Sequence, residues 1–329
     1  KHNIKIENKI QNYFGRSGIM TVFCPLSGSS NVELIEKVRT NDIIKIYEEL
    51  LGFNISSELY GIEEIGFYYC KESNLRFFYP AVTGSESFYE ELQKFDWYYL
   101  DDKAEYAYAS NFIKELDSVL EIGSGKGAFA KKIKAQKYTG LEFSQEAKRL
   151  ASMNGISILS ESIQAHALAN SGQYDVVCSF QVLEHIADIN SFIQASIECL
   201  KPGGLLIYSV PSADSFLSVA KNNILNMPPH HVNWFSDICL TYMAEKFNLK
   251  TIDITHESLS DLHKRWYVQS IILERFCSLT GTHYSLIDRS IKHKILSGFA
   301  KVGGWLFANT LSNDGSQPNG HSVTIVYQK

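Results

Sequence analysis

An apolar strand that runs into a glycine-rich turn and on toward a helix constrains this chain more than any other feature: Val119-Leu120-Glu121-Ile122-Gly123-Ser124-Gly125-Lys126-Gly127-Ala128-Phe129. Glycine is needed there because the backbone turns sharply and must approach a ligand with no Cβ in the way. From residue 118 onward short apolar runs recur, at 118–122, 138–141, 156–159, 174–179 and 204–210, with amphipathic stretches between most of them. Strands that alternate with helices imply a parallel sheet with right-handed crossovers and helices on both faces. Two further runs, 251–255 and 321–327, bring the expected strands to seven. The expected fold class is α/β, a Rossmann-like, mostly parallel seven-stranded sheet.

The first hundred residues have a different texture. Runs at 20–23 and 66–70 read as strands, and 41–51 carries apolar residues at helical spacing with Asp42 near its start. This is a small α+β module. An aromatic segment follows, from Phe88-Tyr89 through Phe95-Asp96-Trp97-Tyr98-Tyr99 to Tyr106 and Tyr108, which should pack on the next domain or a ligand. The expected divisions are an N-terminal module over 1–100, a core over 101–257, a helical insertion over 258–319 and the last strand of the core sheet over 320–329. Helical runs lie near 262–278 and 287–309. The apolar stretch 298–311, with Gly303-Gly304 and Trp305, reads as core rather than as a membrane-surface or dimer face. Residues 313–320, rich in Asn, Gly, Ser and Pro, read as a mobile loop.

Composition narrows the partners. With 31 basic and 36 acidic residues the formal charge is −5, so there is no cation excess for a phosphate backbone and no nucleic acid is expected. No apolar run reaches the roughly 18 residues of a membrane span, and Lys1-His2-Asn3-Ile4 does not open a signal peptide, so a cytoplasmic protein is expected. The six scattered cysteines suit buried free thiols better than disulfides. A small molecule is the expected partner, with a homodimer possible.

A phosphate-binding P-loop fails twice, because it needs glycine at the position of Leu120 and Ser or Thr at that of Gly127. A dinucleotide fingerprint is met by Gly123, Gly125 and Ala128. The next strand ends on Glu142, where a carboxylate can accept hydrogen bonds from both hydroxyls of an adenosine ribose. NAD and S-adenosylmethionine share that ribose, so turn and acid leave both open. Glu121 before the first glycine, Tyr174-Asp175-Val176-Val177, Leu183-Glu184-His185-Ile186 and Lys201-Pro202-Gly203-Gly204 separate them. Together with the turn and Glu142, these runs make residues 100–255 resemble the Rossmann-like S-adenosylmethionine-dependent methyltransferases. The resemblance implies S-adenosylmethionine as cofactor and S-adenosylhomocysteine as product. It implies that Glu121, Gly123, Ser124, Gly125 and Gly127 back the methionyl part, that Glu142 holds the ribose, and that Phe143 packs on the adenine with Ser144 beside it. Glu161 and Ser162 fall where such enzymes contact the adenine amino group, and Phe180 and Gln181 follow the fourth strand. Tyr98, Tyr99 or Glu105 would meet the methionyl carboxylate and ammonium, while Lys126 faces solvent.

A sulfonium methyl is already activated, so the protein must align a nucleophile, exclude water and take a proton if the acceptor is a hydroxyl. Such groups belong at the carboxyl ends of strands four and five, where Glu184-His185 and Pro228-Pro229-His230-His231-Val232-Asn233-Trp234 stand. Histidine accepts protons near neutral pH, so His185 or His231 is the expected base, with His230 beside them. Gln181, Glu184, Asn233, Trp234 and His321 are expected acceptor contacts. Methyltransferases of ubiquinone-type quinol rings, and of the terminal ribose of small RNAs, resemble this region through a Glu-x-x-Glu-His run. Here it reads Gln181-Val182-Leu183-Glu184-His185. A hard divalent cation prefers charged oxygen ligands, so no metal is expected, and Glu184, His185 and His231 are the residual candidates.

Cys24-Pro25-Leu26-Ser27 and Cys70-Lys71-Glu72-Ser73 look like the halves of a zinc ribbon with serine replacing the second ligand of each pair, so zinc is not expected. Such ribbon-plus-methyltransferase chains resemble bacterial enzymes that methylate sugars for surface glycans or natural products. On that architecture the expected acceptor is a hydroxyl of a sugar or nucleotide sugar. A phenolic or quinol hydroxyl, metal-assisted or not, is the alternative. Two rivals are an NAD-dependent oxidoreductase, in which Lys201-Pro202-Gly203-Gly204 and Leu183-Glu184-His185 have no role, and a non-catalytic cofactor-binding protein.

Overall fold

A computed structural model of the protein describes residues 21–95, 98, 101–281, 285–311 and 318–329. The N-terminal part consists of β1 (Val32–Arg39), α1 (Thr40–Leu51), β2 (Glu64–Cys70), β3 (Arg76–Tyr79) and α2 (Glu86–Leu92). Helix α1 stops where Gly52 turns left-handed at φ 76° and its N–H closes on the Glu48 carbonyl. The antiparallel strands bury Ile65, Phe67 and Phe78 against Ile43, Ile46 and Tyr47 of α1. The strand expected at 20–23 is not found: 21–23 is irregular, and Met20 lies outside the described residues. Strand β1 was hidden instead, because most of its Val-Glu-Leu-Ile-Glu-Lys-Val-Arg run lies half-open or exposed on a sheet edge and lacks clean alternation.

The core follows as α3 (Ala104–Ser110), β4 (Ser118–Ile122), β5 (Lys137–Leu141), α4 (Gln145–Ser152), β6 (Ile158–Leu159), α5 (Ile163–Asn170), β7 (Tyr174–Phe180), α6 (Ile189–Cys199) and β8 (Leu200–Pro211). It continues with β9 (Asn233–Trp234), α7 (Asp237–Lys246), β10 (Lys250–Ser258), α8 (Asp261–Leu279), α9 (Ile291–Phe307) and β11 (Asn319–Gln328). Seven strands pair in the order β10-β11-β8-β7-β4-β5-β6, parallel except for β11, which is antiparallel to both neighbours. The α/β expectation holds. Strands β4 and β7 are covered on both faces, by Phe192, Ile193, Leu240 and Met243 on one and by Tyr106, Ala109 and Phe129 on the other. That double burial is why they read as nearly unbroken apolar runs. The chain winds outward from β4 to β6 and then returns to lay β7 on the other side of β4, which puts the topological switch point at the carboxyl ends of these two strands.

Three features depart from expectation. The helix after the glycine turn is a single 3-10 turn, Phe129–Lys132, because only 129–136 remain before β5 and an α-helical crossover does not fit. Strand β9 leaves the core to pair with β3, and Cys24, Leu26, Cys70 and Phe77 share a core cluster with α6 and α7, so the segments either side of residue 100 are packed as one. Phe299, Val302, Trp305, Leu306 and Phe307 are exposed, not core, because α9 packs on α8 along one strip only. The four ribbon-like positions do converge, with Cys24 Sγ 3.3 Å from Ser73 Oγ and Ser27 Oγ 3.4 Å from Cys70 Sγ. All six cysteines are free and buried. Of the loop expected at 313–320, residues 313–317 lie outside the described residues, while Asn319 and Gly320 open β11. No helix among the described residues is long and apolar enough to cross a membrane.

Candidate active site

A cavity of about 1500 Å³ opens over the carboxyl ends of β4, β5, β7 and β8. At its β4 end Gly123, Gly125 and Gly127 have φ of 74°, 50° and 76°, a region side chains avoid. A Cβ on Gly123 would also lie 2.4 Å from Val182 Cγ2. Glu142, at the tip of β5, clamps this turn: its Oε2 accepts the Gly125 N–H at 3.0 Å and its Oε1 the Ser144 N–H at 2.9 Å. The expected Gly123, Ser124, Gly125, Glu142, Phe143 and Ser144 line one flank of the cavity, and Glu161, Ser162, Phe180 and Gln181 line the adjoining one.

Several roles shift with the geometry. The Ser144 and Ser162 hydroxyls cap α4 and α5, accepting from Ala147 N–H at 3.3 Å and Ala165 N–H at 3.2 Å. Glu161 Oε1 lies 2.7 Å from His166 Nδ1, so it is tied rather than free in solvent. Glu121 is buried off the cavity, accepts the Tyr138 hydroxyl, and is pushed up to about 8 by burial. Glu121 and Gly127, both expected at the methionyl part, thus do not line the cavity: Glu121 braces the sheet and Gly127 lies behind the cavity wall, against Ile156. Lys126 reaches the cavity rim and pairs with Asp101 Oδ1 at 2.8 Å rather than projecting into solvent alone. Tyr98 and Glu105 line the cavity; Tyr99 lies outside the described residues.

At the other end, β7 exits through Gln181, whose φ of 58° and N–H bond to the Ser209 carbonyl (2.8 Å) turn the next residues over the cavity. Glu184 and His185 lie there in a short 3-10 turn. His185, His230 and His231 pack ring against ring, with centroids 4.5 to 4.9 Å apart. Each has one nitrogen engaged: His185 Nδ1 with the His230 carbonyl at 2.5 Å, His230 Nδ1 with the Leu225 carbonyl at 2.8 Å, and His231 Nδ1 with Asn226 Oδ1 at 3.0 Å. The His230 Nε2 is buried with no hydrogen-bond partner among the described residues. Glu184 Oε1 stands 3.7 Å from His185 Nε2 and 3.8 Å from His231 Nε2, and neither Glu184 oxygen has a hydrogen-bond partner among the described residues. Burial pushes Glu184 up to about 8 and His185 down to about 4. His230 and His231 fall well below the ordinary imidazole value, through burial first and neighbouring imidazoles second. At neutral pH all three rings are neutral.

A second cluster faces the same cavity: His321, expected at the acceptor, lines it together with Glu257 and His263, which the sequence reading missed. Glu257 Oε1 at the end of β10 lies 2.6 Å from His321 Nδ1 on β11, and the His263 ring meets His321 at 4.7 Å between centroids. Tyr89 and Trp266 add aromatic wall, the Tyr89 hydroxyl lying 3.2 Å from His185 Nδ1. No spacing signal could have found these contacts, since they join residues far apart in the chain. Asn233 and Trp234, expected at the acceptor, do not reach the cavity. The Asn233 amide donates to the Ile186 carbonyl at 2.7 Å and the Trp234 indole to the Asn226 carbonyl at 2.8 Å, because β9 is committed to pairing with β3.

Residues 90–254, about half of the chain, match the family model described as a methyltransferase domain. Ubiquinone biosynthesis O-methyltransferase of Escherichia coli O6:H1 is 31% identical over 186 residues, covering 53% of this chain and 69% of that protein. The protein of the same description from Pectobacterium atrosepticum is 28% identical over 186 residues, covering 53% and 68%. The crystal structure of a SAM dependent methyltransferase from Archaeoglobus fulgidus aligns with a TM-score of 0.44 and 12% identity, covering 69% of this chain and 92% of that one.

Proposed function

The chain belongs to the S-adenosylmethionine-dependent methyltransferases, and from that premise we propose that it methylates a phenolic hydroxyl of a small catechol- or quinol-like acceptor, with His185 or His231 taking the hydroxyl proton. S-adenosylmethionine supplies an electrophilic methyl on a sulfonium and departs as the neutral thioether S-adenosylhomocysteine. Glu142 would receive the ribose hydroxyls, the Gly123–Gly125 backbone would leave room for the methionyl chain, and Phe143 would cover the adenine. The acceptor would occupy the part of the cavity between the histidines and the aromatic wall of Tyr89, Tyr98 and Trp266.

The aromatic wall of Tyr89, Tyr98 and Trp266 facing the histidines carries this reading, since it offers ring faces to a planar acceptor. A neutral imidazole held near about 4 is a poor match for the proton of an alcohol and a closer one for a phenol, whose pKa is about 10. The relatives described as ubiquinone biosynthesis O-methyltransferases support the same acceptor class. The sugar hydroxyl expected from the ribbon-like architecture has no such support and asks for a stronger base.

The unpartnered oxygens of Glu184 favour a metal-assisted form of the reaction. One carboxylate beside the Nε2 atoms of neutral imidazoles is a donor set that fits a divalent cation, with Glu184, His185 and His231 as the holding residues; an imidazole whose Nε2 holds the cation cannot also take the proton, so in this form the cation would stand in for the histidine base. A cation there would lower the pKa of a bound hydroxyl. The test is to offer S-adenosylmethionine with catechols, quinols and nucleotide sugars, with and without a chelator, and to detect methylated product by mass spectrometry. Product from the phenolic acceptors is expected. Product from nucleotide sugars alone would overturn the acceptor assignment, and full turnover in chelator would remove the metal.

A further inference from the structure

Helix α9 carries an apolar stripe that no other described element covers. Ile291, Ile295, Phe299, Val302 and Leu306 recur at steps of four, four, three and four, with Trp305 beside them, and each is 52% to 78% exposed. The opposite face is already spent: His293, Ala300, Gly303 and Gly304 are buried, and a Cβ on Gly303 would lie 2.4 Å from Ile272 Cδ1 of α8. At about 100° per residue, Lys292 falls on one edge of the stripe and Lys294 and Lys301 on the other. Lysines in that position can lay their stems along apolar surface and keep their charge in a polar boundary. The helix holds no Asp or Glu, although the whole chain has a formal charge of −5. All of this lies beyond residues 90–254, the part matched by the family.

We propose that the outer face of α9 docks the protein on an anionic phospholipid bilayer, lying in the interface plane without crossing it. Charge decides between the candidate occupants: a second copy would bring two lysine-flanked stripes together, whereas an anionic surface complements them. Position adds a functional reason. The Trp305 end of α9 runs alongside the start of α8, where Lys264 Nζ donates to the Leu311 carbonyl at 3.2 Å, and Leu262, His263 and Trp266 of that same turn line the cavity. Docking would hold the acceptor end of the cavity against the bilayer, which, on the proposed phenolic reading, suits a quinol that carries an apolar tail.

Flotation of the full chain with vesicles of equal parts phosphatidylglycerol and phosphatidylcholine, against phosphatidylcholine alone, tests this without any turnover. Binding to the anionic vesicles, weakened by salt, is expected. Lys294→Glu with Lys301→Glu should lower it by at least about tenfold, and Phe299→Asp with Trp305→Asp should abolish it. Unchanged S-adenosylhomocysteine affinity in both variants shows that they are folded. Absence of vesicle binding, or binding indifferent to both variants, overturns the proposal. So does a dimer in sedimentation that Phe299→Asp with Trp305→Asp dissociates, which would give the face to a second copy.

Discussion

Glu142 and Gly125 hold one another in place: the carboxylate that faces the cavity also accepts the Gly125 N–H at 3.0 Å, and with its other oxygen the Ser144 N–H at 2.9 Å. One side chain therefore sets the turn and presents an anionic edge to whatever sits over it. Glu142→Ala should weaken S-adenosylmethionine and S-adenosylhomocysteine binding by ~1–3 kcal/mol, roughly ten- to a hundredfold, in calorimetric titration. NAD titrated in parallel should give no heat. Unchanged affinity for the sulfonium would remove Glu142 from the ribose.

Trp234 is a structural residue in an acceptor-like place. Its ring packs on Phe67 at 4.7 Å and Phe78 at 6.3 Å between centroids, and its indole N–H is satisfied by the Asn226 carbonyl. Trp234→Ala should cost ~3–5 kcal/mol of stability in chemical denaturation. Acceptor KM in the remaining folded enzyme should stay at the wild-type value, and a large rise in KM with intact stability would return Trp234 to the acceptor.

The sheet was legible because β4 and β7 are buried on both faces and must be apolar along their length, while the glycine turn is dictated by backbone angles that few other residues tolerate. Strand β1 was not, since its side chains lie largely open on an edge and carry no pattern. Strand β9 was not either: its two residues pair with β3 across a long stretch of chain, and nothing local in Asn233-Trp234 announces a strand. The same limit applied within the site. Glu184, His185 and His231 could be picked out as chemical groups at strand ends, but the meeting of Glu257 with His321 depends on β10 and β11 being neighbours after an insertion of helices. The exposure of α9 was hidden because apolar composition alone does not say which faces find a partner.

The three buried histidines and Glu184 should shape the pH dependence of stability in opposite directions. His185 is held at about 4, and His230 and His231 also lie well below the ordinary 6.5, so below 6.5 the unfolded chain binds protons that the native one refuses. Stability is lost as pH falls from 6.5 toward about 4. Glu184, raised from 4.5 to about 8, does the reverse, and its contribution declines as pH rises through that range. Glu121, likewise raised to about 8, acts with Glu184, so with three histidines against two carboxylates stability of the metal-free protein should peak near pH 6.5 and decline toward 8. Urea midpoints across this range check it: Glu184→Gln should lessen the alkaline arm and leave the part due to Glu121, His185→Asn should soften the acid arm, and a divalent cation should raise the midpoint most near pH 8. A wild-type profile with no acid arm would contradict the neutral-histidine assignment.

Glu257 and His321 should act on the acceptor rather than on the cofactor, and Gly320 offers a way to separate them. A Cβ at Gly320 would lie 2.3 Å from Glu257 Oε1, so Gly320→Ala must push the carboxylate away from His321 without removing either group. Burial alone would raise Glu257, but the His321 imidazole and backbone N–H and the Ser322 hydroxyl hold it down at about 2. It is therefore ionised throughout the working range, and the stability it adds is present above 4.5 and lost only as pH falls toward about 2. The carboxylate 2.6 Å from Nδ1 fixes the placement of the His321 ring on the cavity wall. Gly320→Ala and Glu257→Gln should each lower kcat/KM for the acceptor by about tenfold, the loss of one positioning contact, with S-adenosylmethionine affinity unchanged. Since the two variants disturb the pair by different routes, a matching loss in both assigns it to the contact between Glu257 and His321. Wild-type acceptor kinetics in both would take His321 out of the acceptor site.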